Sequence, residues 1–224
     1  MYYSIRILIQ SNSNNQFKTS LLWAVFLLVC TVAFLLFTGK KESFIIINSH
    51  YSFIADYFFK YYTNAGDAWG WSLLLLYSIF FKKKYIVAVI AGIIISTFLA
   101  QFLKRMIFPD DLRPITYLAE NFPVHLVDGA RANRVYSFPS GHTAAAFTIA
   151  LIMSHMINKK IWSFILPVLA LLVGYSRVYL AQHFLTDVFA GMLIGIVSAI
   201  FSLMIYRAFI RYLNKKAASK SETA

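Results

Sequence analysis

Six long apolar runs constrain the fold of this chain more than any other feature. A run of about 20 apolar residues is long enough to cross the hydrocarbon core of a bilayer. Charged residues make up only 13% of the sequence, against about 25% in ordinary soluble domains. The runs are residues 20–38, 68–81, 85–103, 141–157, 161–180 and 184–206. We therefore expect an all-α protein, a bundle of six transmembrane helices.

Two segments outside these runs have a different character. Residues 44–62, FIIINSHYSFIADYFFKYY, are apolar and aromatic but interrupted by polar residues, which is typical of a helix lying in the membrane interface. We expect this interfacial helix between the first and second spans. Residues 104–139 form a long loop of the kind that is usually functional or disordered. The expected organisation is a cytoplasmic segment at 1–19, a membrane domain at 20–212 and a cytoplasmic tail at 213–224.

The distribution of charge predicts the orientation. Basic residues in short loops tend to remain in the cytoplasm, and most of the 21 lysines and arginines fall on one side if the N-terminus is inside. Six spans then place both termini in the cytoplasm. The net charge of +12 reflects this topology and an attraction to anionic headgroups, so we expect a membrane partner and no nucleic acid. The compact chain without a sorting signal favours a bacterial inner (plasma) membrane.

Residues 176–187, SRVYLAQHFLTD, place ionisable groups between the last two runs. His183 and Asp187 are four apart, so a helix would bring them to one face. The carboxylate could then hold one ring nitrogen and leave the other free as a nucleophile. Ionisable residues at membrane depth are costly and therefore indicate function. The alternative is a buried ion pair between Arg177 and Asp187 that joins two helices.

Residues 137–147, SFPSGHTAAAF, open the fourth run. Proline, serine and glycine let a chain turn into a helix whose first amides are exposed, and such a start binds anions. The Ser140 hydroxyl and the amides of Gly141 and His142 could hold phosphate oxygens. His142 could protonate a leaving oxygen as general acid. The alternative is an ordinary helix N-cap with an interfacial histidine.

Residues 103–114, LKRMIFPDDLRP, follow the third run and supply three cations. An arginine such as Arg113 can bind phosphate through two parallel hydrogen bonds. Lys104 and Arg105 are the other two cations. The alternative is that these residues contact lipid headgroups as the chain leaves the membrane.

Together the three segments resemble the type 2 phosphatidic acid phosphatase superfamily. Its signatures are Lys-x6-Arg-Pro, Pro-Ser-Gly-His and Ser-Arg-x5-His-x3-Asp. The second and third match fully, with His142 in one and Arg177, His183 and Asp187 in the other. The first departs from the pattern, because Met106 stands where the family has lysine. We prefer Lys104 over Arg105 as its replacement, reaching the phosphate from one turn lower on the third helix.

The resemblance implies a six-helix membrane bundle and a phosphoryl transfer that needs no metal and no cofactor. His183 would attack phosphorus, Asp187 would stabilise the imidazolium, and His142 would protonate the leaving group and then activate water. The implied phosphate-binding residues are Lys104, Arg113, Ser140, Gly141 and Arg177.

The expected function is therefore an integral membrane lipid phosphatase with its site on the periplasmic or extracellular side. Candidate substrates are undecaprenyl pyrophosphate, phosphatidylglycerophosphate, phosphatidic acid and the phosphates of lipid A. No obligatory protein partner is implied. One alternative is a non-catalytic transporter or scaffold with a buried ionic cluster. Another is a metal site formed by His142, His183 and Asp187.

Overall fold

The computed structural model describes residues 2–118, 122–130 and 133–222, with side chains for 14–118, 122–130 and 133–219. Every regular element within these residues is helical, which confirms the all-α prediction. The α-helices are α1 (Tyr2–Asn48), α2 (Phe53–Tyr62), α3 (Ala68–Phe81), α4 (Ile86–Phe102), α5 (Pro114–Tyr117), α6 (Gly141–Ile157), α7 (Lys160–Tyr179) and α8 (Leu185–Glu222). Short 3₁₀ turns occupy Thr63–Gly66 and Lys83–Tyr85, and a π-helical turn occupies Leu103–Ile107.

Four helical segments in the described part of the chain are long and apolar enough to cross a membrane. They are Asn14–Asn48, Lys83–Ile107, Lys160–Tyr179 and Leu185–Ser219. The apolar helices α3 and α6 have only 14 and 17 residues, fewer than the roughly 20 needed for a span along the bilayer normal. Large apolar side chains such as Leu36 and Phe37 face outward. The chain is a membrane protein, and helix length by itself identifies four of the six expected spans.

The two long terminal helices pass through the expected domain boundaries. Helix α1 continues across residue 20 and α8 across residue 212. Inside α1, Gly39 adopts φ 76° and ψ 177°, a conformation that glycine tolerates at little cost and that kinks the helix. The division at 1–19, 20–212 and 213–224 stays a prediction. Residues 1, 223 and 224 of these segments lie outside the described residues.

The expected interfacial helix at residues 44–62 is split in the structure. Helix α1 continues to Asn48, and α2 begins after Ser52, whose side chain accepts a hydrogen bond from the Ala55 amide at 3.3 Å. Asn48 is fully buried and bonds the backbone of His125 and Tyr179. In the sequence, Asn48 reads as an interruption of an interfacial helix. In the structure it is a buried residue that holds the long loop through hydrogen bonds to the His125 backbone.

Helix α6 lies at the centre of the bundle and contacts α1, α4, α7 and α8. Glycines on α8 allow a close approach of the two backbones, as small residues often do between membrane helices. A Cβ atom on Gly191 would lie 2.6 Å from the Ser140 carbonyl oxygen, and one on Gly195 would lie 2.5 Å from the Phe147 Cβ. This packing brings the start of α8 against the start of α6, where the predicted catalytic residues are.

Candidate active site

A cavity of about 880 Å³ collects most of the predicted site residues. It is bounded by α3, α4, the start of α6, the end of α7 and the turn before α8. Of the predicted residues, those that line it are Lys104, Arg113, Gly141, His142, Arg177 and His183. Ser140 and Asp187 are fully buried next to these lining residues. The structure thus brings together residues from three separate segments of the sequence.

The predicted contact between His183 and Asp187 is present. His183 Nδ1 lies 3.2 Å from Asp187 Oδ2, and both side chains are buried. His183 lies in the turn just before α8, and Asp187 in its first helical turn. With Nδ1 donating to the carboxylate, Nε2 is the nitrogen that retains its lone pair. This arrangement is the one expected if His183 acts as the nucleophile.

Asp187 is itself held by three further donors. Its Oδ2 accepts from the Ser137 hydroxyl at 2.6 Å and from the Phe184 amide at 2.9 Å, while Oδ1 accepts from the Thr186 hydroxyl at 3.2 Å. Among the described residues, Asp187 makes no ion pair with Arg177. The alternative of a helix-joining salt bridge is therefore wrong, because the carboxylate is engaged with His183 and these donors.

The surroundings of His183 favour its neutral form. Burial lowers the pKa of His183 well below its ordinary value of 6.5, and the charges of Lys104, Arg113 and Arg177 lower it further. An imidazole must be neutral to attack phosphorus. The pKa of the Arg113 guanidinium is also lowered by burial, with Asp187 acting in the opposite direction, but arginine remains charged near neutral pH.

Ser140 occupies a different place from the one expected. It is the N-cap of α6, and its hydroxyl oxygen accepts hydrogen bonds from the Thr143 amide at 3.4 Å and the Thr143 hydroxyl at 2.9 Å. Because this hydroxyl faces the bundle interior, the expected contact between the Ser140 hydroxyl and phosphate has no support in the geometry. Gly141 next to it lines the cavity, and a Cβ placed there would meet nothing within 4 Å. The amides at the helix start are thus open to an anion.

The predicted cations differ in how firmly they are held. Arg177 is buried and donates from Nη1 to the Thr63 hydroxyl at 2.7 Å. Lys104 lines the cavity, whereas Arg105 is exposed and donates from Nε to Gln101 at 3.2 Å. Both lie in the π-helical turn Leu103–Ile107. A π turn widens the helix locally and is frequent at functional sites, and here Lys104 is the residue that it presents to the cavity.

Four further residues contact the predicted site residues, and none of these contacts is predicted by the sequence. Thr63 binds Arg177, Ser137 binds Asp187, and Gln182 accepts from Arg113 Nη1. Asp67 Oδ2 lies 3.6 Å from His142 Nε2. None of the four stands in a motif position, so only their spatial neighbours identify them.

In the part of the chain that the structure describes, no three His, Cys, Asp or Glu side chains come together as a set that could hold a metal ion. His142 is paired with Asp67, and His183 with Asp187. The two imidazoles thus each have a carboxylate partner of their own.

Comparison with known proteins places this site in a family. Residues 84–211 match the sequence model of the PAP2 superfamily. The chain belongs to the PAP2 superfamily. The matched range contains every predicted site residue from Lys104 to Asp187, but Thr63 and Asp67 precede it. The PAP2 region therefore contains the predicted nucleophile, the predicted proton donor and the predicted cations, whereas Thr63 and Asp67 come from the part of the chain before it.

Several PAP2 relatives resemble the chain over most of its length. The crystal structure of Aquifex aeolicus LpxE superimposes with a TM-score of 0.66 at 36% sequence identity, covering 74% of this chain and 94% of that one. A lipid A 4'-phosphatase of Porphyromonas gingivalis is 27% identical over 75% of this chain and 72% of its own length. A putative undecaprenyl-diphosphatase, YbjG of Escherichia coli, is 27% identical over 66% of this chain and 70% of its own.

Proposed function

We propose that this protein is a membrane lipid phosphatase that hydrolyses a phosphomonoester or a pyrophosphate on a membrane lipid. The observation that carries the proposal is the convergence of His142, His183 and three cations in one cavity. Membership of the PAP2 superfamily supports it, as do relatives named for activity on lipid A and undecaprenyl diphosphate.

The first step is transfer of the phosphoryl group to His183. Nε2 of His183 forms a bond to phosphorus while the bond from phosphorus to the leaving oxygen breaks, and that oxygen takes a proton from His142. Asp187 stabilises the imidazolium that develops. Lys104, Arg113 and Arg177, with the Gly141 amide, neutralise charge on the equatorial oxygens, usually the largest contribution to such a reaction.

The second step is hydrolysis of the phosphohistidine. A water molecule gives its proton to His142 and attacks phosphorus, and the bond from phosphorus to nitrogen breaks with its electron pair returning to His183. The neutral state of His183 favoured by its surroundings is the state restored here. Ser140 contributes by capping α6, which keeps the Gly141 amide exposed.

The shape of the cavity suits a lipid substrate. Besides the charged residues, it is lined by Trp71 of α3 and by Ile93 and Ala100 of α4. An apolar wall next to a cationic one fits a molecule with a hydrocarbon chain and a phosphate. A lipid could present its phosphate here while its chain remains in the bilayer.

The topology we propose has six spans, including α3 and α6, with α2 at the interface. Lys104 at the end of α4, His142 at the start of α6 and Arg177 at the end of α7 lie at the cavity end of the bundle. The lysines at 82–84 and 159–160 lie at the opposite helix ends. By the charge rule both termini are cytoplasmic and the site faces the periplasmic or extracellular side, in a bacterial inner (plasma) membrane.

The experiment that tests this function is phosphate release by the purified protein in lipid nanodiscs. The panel contains undecaprenyl pyrophosphate, phosphatidylglycerophosphate, phosphatidic acid and lipid A, with His183→Ala as control. We expect release from at least one lipid by the wild type, in the presence of a chelator, and none by His183→Ala. No release from any lipid would favour a non-catalytic transporter or scaffold, and release abolished by the chelator would favour a metal site.

A further inference from the structure

Residues 63–67, TNAGD, form one wall of the cavity and make three separate contacts with catalytic residues. The Thr63 hydroxyl accepts from Arg177 Nη1 at 2.7 Å. Gly66 packs on the backbone of His142, where a Cβ atom would lie 2.5 Å from the His142 carbonyl oxygen. Asp67 Oδ2 lies 3.6 Å from His142 Nε2. The segment is therefore built against the proton donor, and Asp67 is its charged end.

Asp67 occupies a position at which an aspartate side chain normally caps a helix. Asp67 is the N-cap of α3, yet its side chain makes no capping hydrogen bond. An aspartate cap typically contributes about 1 kcal/mol. The carboxylate instead lines the cavity and pairs with His142. Capping α3 does not explain its orientation.

Among the described residues, the other charged or titratable groups that most strongly affect the ionisation of His142 are all basic. They are Arg177 from α7, His183 from the turn before α8, Lys104 from the π-helical turn and Arg113 from the loop before α5. Nearby cations disfavour the protonated form of an imidazole, and a nearby carboxylate favours it. His142 has to carry a proton to protonate a leaving oxygen, so among the described residues Asp67 supplies the opposing charge that this role requires.

We propose that Asp67 is a positioning residue that orients His142 and favours its protonated form for proton transfer. With Nε2 turned to Asp67, Nδ1 is the nitrogen left to serve the leaving oxygen. As the bond from phosphorus to that oxygen breaks, the proton moves from Nδ1 to the oxygen and His142 becomes neutral. Water returns a proton to His142 in the second step, and the ion pair with Asp67 re-forms. This inference rests on the proposed function.

The test compares Asp67→Asn with the wild type over a range of pH. Because the Asp67 side chain makes no capping hydrogen bond, its replacement by asparagine should leave the start of α3 intact. The substrate is the lipid of the four-member panel that the wild type hydrolyses fastest. We expect kcat at pH 7.5 to fall about tenfold, because the protonated fraction of His142 should fall by about that factor. KM should change less than about twofold, because Asp67 acts through the proton donor. The basic limb of the pH–rate profile should move to lower pH, and Asp67→Glu should restore much of the lost rate.

Asp128→Asn is the matched control, because Asp128 is an exposed acid beside the cavity-lining Gly129 and its substitution removes the same charge without touching His142. It should leave the profile unchanged. A loss of rate in Asp67→Asn that is equal at every pH, or a profile identical to that of the wild type, would overturn the role of Asp67 while leaving the phosphatase intact. A wild type that releases no phosphate from any lipid would overturn the proposed function and this inference together.

Discussion

Arg113 Nη1 donates two hydrogen bonds to Gln182, one to its backbone oxygen at 3.0 Å and one to its side-chain Oε1 at 3.1 Å. Gln182 directly precedes His183 in the chain. The remaining nitrogens of Arg113 donate to the backbone oxygens of Val135 at 3.0 Å and Tyr136 at 3.3 Å. The turn that carries the proposed nucleophile thus also holds a cation of the proposed phosphate site.

Replacing Gln182 by alanine should weaken catalysis through Arg113. The variant removes one of two acceptors for Nη1, and a hydrogen bond to a charged group contributes about 1.5 kcal/mol or more. We expect kcat/KM to fall roughly tenfold, the equivalent of about 1.4 kcal/mol. A double-mutant cycle with Arg113→Lys measures the coupling. Strictly additive effects of the two substitutions would show that Gln182 does not act through Arg113.

Lys104 and Arg105 can be distinguished by a pair of alanine variants. Lys104 lines the cavity, and Arg105 is exposed beside Gln101. If Lys104 stabilises the charge that develops on phosphate, Lys104→Ala should lower kcat on the order of 10² to 10³, while Arg105→Ala should leave it nearly unchanged. Steady-state phosphate release measures both. A larger loss in Arg105→Ala would assign the family lysine's role to Arg105.

The acid limb of the pH–rate profile should report His183. Because its pKa is lowered well below 6.5, the neutral nucleophile is fully present at pH 6.5 and is lost only as the pH falls through the lowered pKa. The dependence of kcat/KM on pH, which reports the free enzyme, should therefore stay flat on its acid side down to below pH 6.5. Lys104→Ala removes one of the charges that lower this pKa and should move the limb to higher pH. An acid limb centred at or above pH 6.5 in the wild type would contradict the assignment of this limb to His183.

Close packing of α8 on α6 should be needed for both stability and activity. A Cβ on Gly195 would lie 2.5 Å from the Phe147 Cβ and 2.7 Å from the Ala144 carbonyl oxygen. Gly195→Val should therefore destabilise the protein by about 1–3 kcal/mol, the usual effect of overpacking, and lower kcat by displacing Asp187. Thermal unfolding in detergent and phosphate release measure the two effects. Val197→Leu adds bulk on the exposed face of the same helix and should change neither; equal effects in both variants would contradict the packing role of Gly195.

The sequence was most informative where a short spacing determines a contact. His183 and Asp187 are close in sequence, and the first turn of α8 brings them together with no help from the rest of the fold. The Pro-Ser-Gly-His segment likewise predicts a helix start, and α6 does begin at Gly141. Ser140 lies at the predicted helix start but makes a different contact. Whether a cap hydroxyl faces a ligand or its own helix depends on the packing of α8 behind it.

Contacts between distant segments could not be predicted in this way. Asp67 and His142 are distant in the sequence and meet where Gly66 packs on the backbone of His142. Hydropathy indicates only that Asn48 interrupts an apolar run, because it does not identify the loop residue that Asn48 bonds. The register of Lys104 depends on a π-helical turn, which the periodicity of apolar residues does not encode.

Transfer of the phosphoryl group to His183 is tested most directly by acid-free rapid quenching of the purified protein with a lipid radiolabelled in its phosphate. Phosphohistidine is labile to acid and stable to alkali, so the label can be followed into peptides under alkaline conditions. We expect transient label on the peptide that contains His183, and none in His183→Ala. Phosphate release without labelled protein, or label that persists in His183→Ala, would contradict the mechanism.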